Sequence, residues 1–546
     1  MKKVLLFIIL LVLPFIINAE ELNLEWQKSL GGSSYEVFYS VTQIKDDNYI
    51  AVGKTRSNDI DGITNDGDVL GVIVKYDING NILWKKNWGE ILESVAPTED
   101  GGFVVVGYAE ISYIMNGIRV KGSADGIIMK CDADGNILWQ NLWGGNGNDQ
   151  FYNVMPTKDN GVLVSGASSS TDIEGLSNKG DIDAIILKYD KDGNVLWEKS
   201  YGGSKSESFD NVVITENEDI IASGDTFSSD IDGLTTKGTP DGLIVKYDRD
   251  GNILWNKSWG GSGQEYFRSL ILTKDDGYVV VGETNSLNPE GLTTQATSRY
   301  TDAIIVKYDK DGNVLWQSSW GGTKDDKFNS IALAKDGGYL VAGWFESSNI
   351  EGLPNKSNYL APEAMIVKYN QNGKIMWQKS WGGNWSDEFN SIISTKNNEY
   401  VVVGTSTSTN IEGLEHNNEK DFIIVKYLIK YDLENTISET VNGTAEIIQE
   451  GNYGIITPQP NEGYKVEKVI IKDKEGNILD IEVTEQEDGT LTFPLYTDVS
   501  VEVIYALAID NPKTGILDVM TILIIGFLMS ITGFFIVKNY NERLEL

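Results

Sequence analysis

Apolar residues in this chain come in short runs rich in Val, Ile, Tyr and Trp, each closed by Asp, Asn and Gly. None carries the spacing of an amphipathic helix, so the runs predict strands joined by tight turns. Their order is fixed. In one stretch, Phe267–Thr273 is turned back by Asp275-Asp276-Gly277 into Tyr278–Gly282, and a variable polar loop follows. Asp302–Tyr308 comes next, and the Asp309–Gly312 turn leads into Asn313-Val314-Leu315-Trp316. Each unit is thus four short antiparallel strands.

The unit repeats. Its outer-strand tryptophan falls at Trp26, Trp84, Trp139, Trp197, Trp255, Trp316 and Trp377, at intervals of 58, 55, 58, 58, 61 and 61 residues. A period of that size is the signature of a repeat architecture. The second strand ends on Gly53, Gly107, Gly166, Gly224, Gly282, Gly343 and Gly404. The third carries Lys75, Lys130, Lys188, Lys246, Lys307, Lys368 and Lys426. The tryptophan strand is out of phase: its first copy, Leu24–Leu30, precedes everything, and none follows Lys426. The pattern predicts an all-β fold, a seven-bladed β-propeller of four-stranded blades over residues 20–430. Residues 22–30 would complete the last blade and latch the ring, leaving no exposed edge.

Trp143, Trp259, Trp320 and Trp381, replaced by Leu30 and Tyr201 in sibling units, keep phase with the period and are expected to pack blade on blade. The seven strand lysines are unusual for a central strand. Their expected partners are the acids that open the same strands, Asp125, Asp183, Asp241, Asp302, Glu363 and Asp421; the alternative is a positive ring facing a central channel and holding an anion.

Outside the repeat the composition changes. Residues 1–19 read as a signal peptide: Lys2 and Lys3, then the apolar Val4–Ile17, then Asn18-Ala19. Residues 431–506 break the period and predict a small β module. Residues 507–518 form a linker, 519–537 an uncharged segment long enough for a transmembrane helix, and 538–546 a cytoplasmic tail.

A net charge of −35 argues against a nucleic-acid partner, since phosphate contacts need a basic face. The single cysteine, Cys131, and the single histidine, His416, allow neither an intrachain disulfide nor a Cys/His zinc cluster. Cys131 stands where sibling strands carry Tyr and reads as a buried filler; His416 reads as a loop residue. No catalytic residue is assigned. The Asp-Gly-Asn turns at Asp134–Asn136, Asp190–Asn194, Asp248–Asn252 and Asp309–Asn313 read as hairpins rather than calcium loops, because a strand begins at once. A second acidic set lies in the long loops: Asp59 and Asp61, Asp172 and Glu174, Asp230 and Asp232. These are the candidate metal ligands, with Ca2+ the only cofactor in view. Trp344 and Trp385 break the tryptophan phase and are the candidate ligand surface.

The unit GGYVVVG…TDAIIVKYDxDGNVLW resembles the bacterial secreted β-propeller repeat family over most of residues 22–430, which implies a scaffold more than a chemistry. It is unlike the quinoprotein dehydrogenases, having no Cys pair or comparable cofactor signature. Glu462–Val466, Lys472-Asp473, Gly476 and Gly489–Phe493 resemble the Ig-like or internalin-B-type modules of Gram-positive surface proteins. Asn511-Pro512-Lys513-Thr514-Gly515, followed by Val519–Val537 and Lys538, resembles a sortase sorting signal, with Asn511 where the commonest form has Leu. That resemblance implies cleavage between Thr514 and Gly515 and transfer of Thr514 to the cell envelope by a sortase-type transpeptidase. A membrane anchor through a retained C-terminal helix is the alternative. Together these features predict a non-enzymatic binding or adhesion scaffold on the surface of a Gram-positive-type bacterium, with an extracellular protein or glycan as ligand. The competing expectation is an extracellular polysaccharide hydrolase or lyase.

Overall fold

The computed structural model describes residues 21–63, 69–110, 114–115, 118–297, 299–353, 355–358, 361–397, 399–414, 420–430, 433–434, 442–451, 453–473, 476–486, 488–495 and 499–508. The signal segment 1–19, His416, the sorting motif Asn511–Gly515 and the apolar segment 519–537 lie outside them. No described helix is long and apolar enough to cross a membrane. The chain divides into two units. One runs to Leu433 and includes Gln449–Gly454 and Pro494–Val499; the other takes Glu434–Ile448, Ile455–Phe493 and Ser500 onward.

Among the described residues of the first unit are seven four-stranded antiparallel sheets, formed in sequence order. Within each, the second and third strands are almost wholly buried, as in Tyr278–Thr284 and Asp302–Tyr308. Covered on both faces, they read as continuous apolar runs instead of alternating ones. Five of the outer strands, Val314–Trp320 among them, begin exposed and end buried.

The N-terminal strand Glu21–Leu30 pairs antiparallel with Asp421–Lys430 and completes the last sheet. Trp381 Nε1 ties it to the preceding sheet by donating to Gln27 Oε1 at 2.8 Å. The first strands, Glu36–Gln43, Ile91–Pro97, Asp149–Pro156, Glu207–Ile214, Glu265–Leu272, Asp326–Leu333 and Asp387–Ser394, lie each beside the next, and the last lies beside the first. They are the inner strands. Apolar clusters bridge neighbouring sheets, including the last and first, where Phe38 and Phe422 stack with ring centroids 4.1 Å apart.

The phased tryptophans join sheet to sheet. Trp143, Trp259 and Trp320 donate through Nε1 to Glu198, Gln317 and Gln378 on the outer strand of the following sheet, at 2.8–2.9 Å. The Asp-Gly-Asn turns close on themselves. Asp309 Oδ1 accepts from the amides of Asp311 and Asn313, Asn313 Nδ2 donates to Asp309 Oδ2, and Gly312 takes φ +79°. Cys131 is buried, and burial pushes its thiol up to about 12.

The lysines pair differently from expectation. Lys75, Lys130, Lys188, Lys246, Lys307 and Lys368 lie 2.6–3.0 Å from Asp46, Asp100, Asp159, Asp219, Asp275 and Asp336, and Lys426 lies 2.8 Å from Glu399. These acids come from the turn between the first and second strands. Lys307 is in register with Val279, next to that turn, whereas Asp302 stands at the far end of the strand. A seven-residue strand of ~3.3 Å per residue keeps the two ends apart. The lysines therefore form neither the pairs expected nor a positive ring in a channel.

In the second unit, Gly443–Glu450, Tyr453–Pro460, Leu491–Pro494 and Thr484–Glu485 make one sheet, and Tyr464–Lys472 pairs with Val499–Leu507. Ile456, Ile471, Phe493 and Val501 are its buried centre, and the Tyr505 hydroxyl donates to the Thr444 carbonyl.

Candidate functional site

Each inner strand carries a bulge at the same place. The register with the second strand jumps between Phe38 and Ser40, Leu92 and Ser94, Phe151 and Asn153, Phe209 and Asn211, Phe267 and Ser269, Phe328 and Ser330, and Phe389 and Ser391. The residues skipped are Tyr39, Glu93, Tyr152, Asp210, Arg268, Asn329 and Asn390. A bulge re-aims one side chain out of the ladder. The preceding position is Phe or Leu in all seven sheets, while the bulged position varies in size, polarity and charge. Packing cannot require that variety.

These side chains converge although they come from different sheets. Burial pushes the Glu93 carboxyl up to about 7; Lys54 of the preceding sheet opposes the shift and Asp210, two sheets on, adds to it. The Tyr39, Tyr108 and Tyr152 hydroxyls are pushed up by burial first and also by the charge of Glu93, Tyr108 to about 12. Asp210 also acts on Tyr152. Because the inner strands lie each beside the next around a ring, the bulged side chains of consecutive sheets are neighbours about a common axis.

A polar lock occupies one side. Arg268 Nη1 lies 3.4 Å from Asp210 Oδ2, Arg268 Nη2 lies 2.9 Å from Glu283 Oε1, and Lys327 Nζ lies 2.7 Å from Glu283 Oε2. Ser208 Oγ donates to Asp210 Oδ1 at 2.7 Å and lies 3.1 Å from Asp225 Oδ1. Burial pushes the Asp225 carboxyl up to about 7, with Asp210 adding to the shift and Arg268 opposing it. The Arg268 guanidinium sits 4.8 Å from the Tyr266 ring, and Lys327 Nζ sits 5.4 Å from the Trp344 ring. Such contacts fix cations over aromatic rings.

A second recurring set of carboxyl groups lies at the sheet junctions. Asp183 Oδ2 accepts from the Lys179 amide at 3.1 Å, and its Oδ1 is buried without a donor. Glu207, which opens the next inner strand, accepts from Gly203 N at 2.7 Å and Thr226 Oγ1 at 2.8 Å. Between them lies Gly202, where a Cβ would fall 2.4 Å from Asp183 Oδ1 and 2.7 Å from Glu207 Oε2. Asp125 with Asp149, and Asp241 with Glu265, close on Gly144 and Gly260 in the same way. The strand-opening acids thus serve these junctions instead of the lysines.

Of the candidates from sequence, Trp344 joins the axial group through Lys327. Trp385 does not: it is 42% exposed in a loop, its amide donating to Ser408 Oγ at 2.8 Å. Asp59, Asp172 and Asp230 each accept a neighbouring amide, from Ser33, Asn146 and Ser204, at 2.7–2.9 Å. Asn349 and Asn410 make the same bond at 2.8–3.0 Å without a charge. Asp61, Glu174 and Asp232 are exposed. Among the described residues no group of three or more His, Cys, Asp or Glu is placed to hold a metal ion. Sequence reasoning missed Tyr39, Glu93, Tyr152, Asp210 and Arg268. The signal was present: once the copies are aligned on the Phe or Leu of the inner strand, the positions on either side of it do not repeat.

No family model matches the chain. It is 21% identical, over 74% of its length, to an uncharacterised WD repeat-containing protein of Acanthamoeba polyphaga mimivirus. The fold is that of a β-propeller built from repeats. A shorter match, 24% identical over 32% of the propeller chain, is to the regulatory protein FlaEY of Caulobacter vibrioides. The chain spans only 38% and 19% of the lengths of these two relatives. Among solved structures, Sqt1 from Chaetomium thermophilum matches with 9% identity and a TM-score of 0.38, over 81% of this chain and all of Sqt1. A protein of unknown function from Bacteroides caccae matches with 13% identity and a TM-score of 0.29, over 55% of this chain and 94% of that one.

Proposed function

We propose that residues 21–430 form a closed seven-bladed β-propeller that works as an exported, envelope-anchored binding scaffold, taking its ligand at the inner-strand ring. The observation that carries the reading is the bulged position itself. The turns, lysine pairs and junction acids repeat from unit to unit, whereas at this position seven sheets present five kinds of side chain to one axis. Export and anchoring are supported by the N-terminal signal-like segment and by Asn511–Gly515 before the apolar span. The ligand is an extracellular protein or glycan.

Two measurements test this. Mass spectrometry of the mature protein should find a chain that begins near Glu20 and ends at Thr514; an intact Leu546 on surface-exposed protein refutes sortase cleavage and leaves the membrane anchor. The full chain is also screened against matrix proteins, glycans and envelope polymers. A saturable partner should be weakened about tenfold or more by Glu93→Gln or Trp344→Ala at unchanged melting temperature. Binding indifferent to both substitutions refutes the site. A second reading, a polysaccharide hydrolase or lyase, draws on a carboxyl group near neutrality, Glu93, within electrostatic reach of Asp210, the combination that acid–base chemistry uses. Turnover of a glycan that Glu93→Gln abolishes would establish it.

A further inference from the structure

The seven bulged residues fall into three groups by what they already touch. Asn329 Nδ2 donates to the Phe389 carbonyl and Asn390 Nδ2 to the Phe38 carbonyl, each at 2.9 Å, so these two brace one inner strand against the next. Asp210 and Arg268 are locked to each other, and Arg268 to Glu283. Tyr39, Glu93 and Tyr152 remain, on three consecutive sheets. Tyr152 Oη donates to Gln150 within its own strand, at 2.6 Å. Among the described residues the Glu93 side chain enters no ion pair and no hydrogen bond, only the longer-range fields of Lys54 and Asp210. The cation whose field reaches it, Lys54, has its Nζ 5.4 Å from the Tyr39 ring centroid.

We propose that this side of the axis is a site for an organic ammonium group, seated on the Glu93 carboxylate among Tyr39, Tyr108 and Tyr152. The inference rests on the inner-ring reading of the preceding subsection and names the ligand chemistry. Tyr39 and Tyr152 hold the same bulged position as Glu93 on the two inner strands beside it, and Tyr108 is in register with Ile91, two residues from Glu93. A carboxylate so flanked suits a cation on an apolar stem, the charge meeting Glu93 and the stem the rings. A bare metal ion fits poorly, because one carboxylate and three phenols fall short of the six to eight hard oxygens calcium takes. An anion would meet only Lys54, since Arg268 and Lys327 are already paired with Asp210 and Glu283 and lie against the Tyr266 and Trp344 rings.

The titration of Glu93 agrees. Held up to about 7 by burial, it is partly protonated at neutral pH, and a bound cation would draw that proton off. Around it stand Lys54, Asp210, Tyr39, Tyr108 and Tyr152. The three phenols are raised and stay neutral through this range, and Asp210, raised by burial, titrates in the same sense as Glu93. Affinity for an ammonium should therefore fall roughly tenfold from pH 8 to pH 6.

The test is calorimetric titration of the full chain at pH 8 with n-butylammonium chloride, with ammonium chloride and sodium butyrate as controls for stem and charge. The expected result is saturable binding of butylammonium alone, weakened at least tenfold by Glu93→Gln and several-fold by Tyr39→Leu. Melting temperatures should be unchanged, and the pH dependence should vanish in Glu93→Gln. Equal binding to wild type and Glu93→Gln overturns the proposal, as does the absence of any butylammonium signal. Saturable butyrate binding lost in Arg268→Ala also overturns it while leaving the ring a ligand site. Failure of the ring itself would show separately, as a captured partner indifferent to both Glu93→Gln and Trp344→Ala.

Discussion

Replacing Asp183 by asparagine should change how the stability of the propeller depends on pH. Asp183 is 1% exposed, and removal from water, helped by the charge of Glu207, pushes its carboxyl up to about 6 from an ordinary value of 3.8; the amides of Lys179 and Gly180 oppose the shift. The folded state thus holds a proton that the unfolded chain has released. Between about pH 4 and pH 6 the folded form binds more protons, so stability falls as pH rises through that window and levels off above it. Moving a carboxyl that far corresponds to at most about 3 kcal/mol, and local relaxation can remove roughly half, so the effect is on the order of 1–3 kcal/mol. The amide introduced by Asp183→Asn would keep an oxygen for the Lys179 amide and turn an NH2 towards Glu207, removing the titration without opening a cavity. Urea unfolding of both proteins from pH 4.5 to 7.5 reads the difference: wild type should lose stability across the window, and Asp183→Asn should lose about 1–3 kcal/mol less. Parallel curves would refute the coupled junction pair.

Gly144→Ala should cost about 2 kcal/mol or more, because its Cβ would lie 2.5 Å from Asp125 Oδ1 and 2.6 Å from Asp149 Oδ2, whereas Gly175→Ala, with nothing within 4 Å but φ +87°, should cost only about 1 kcal/mol; thermal melts compare them. Asp275→Ala leaves the buried Lys307 without its carboxylate and should destabilise by about 1–3 kcal/mol, less than a fully buried pair because Asp275 itself is 61% exposed; Lys307→Met should be closer to neutral in the same denaturant series. Asp230→Asn should leave calorimetric traces unchanged, with Ca2+ or with EDTA, since Asn349 and Asn410 already make the equivalent bond; a Ca2+-dependent melting shift lost in this variant would instead establish the loop as a calcium site.

What the sequence determined by itself is what each unit does locally. The turn at Asp309–Asn313 is closed by bonds between residues at most four apart, and the buried runs Tyr278–Thr284 and Asp302–Tyr308 declare themselves by composition. The phase of Leu24–Leu30 even foretold its pairing with the last sheet, because a repeat that starts one strand early must end one strand short. Tertiary structure decided the rest. Lys307 finds Asp275 and not Asp302 because register, which is set across strands, puts the first near its ammonium and the second at the other end. Asp183 meets Glu207 only because consecutive sheets pack. The inner ring is the extreme case. Tyr39, Glu93, Tyr152, Asp210 and Arg268 are separated by 54 to 59 residues from one to the next, and only a closed array of sheets brings them to one axis. A repeat pattern emphasises what is alike in its copies, and the chemistry gathered at the axis lies in what differs.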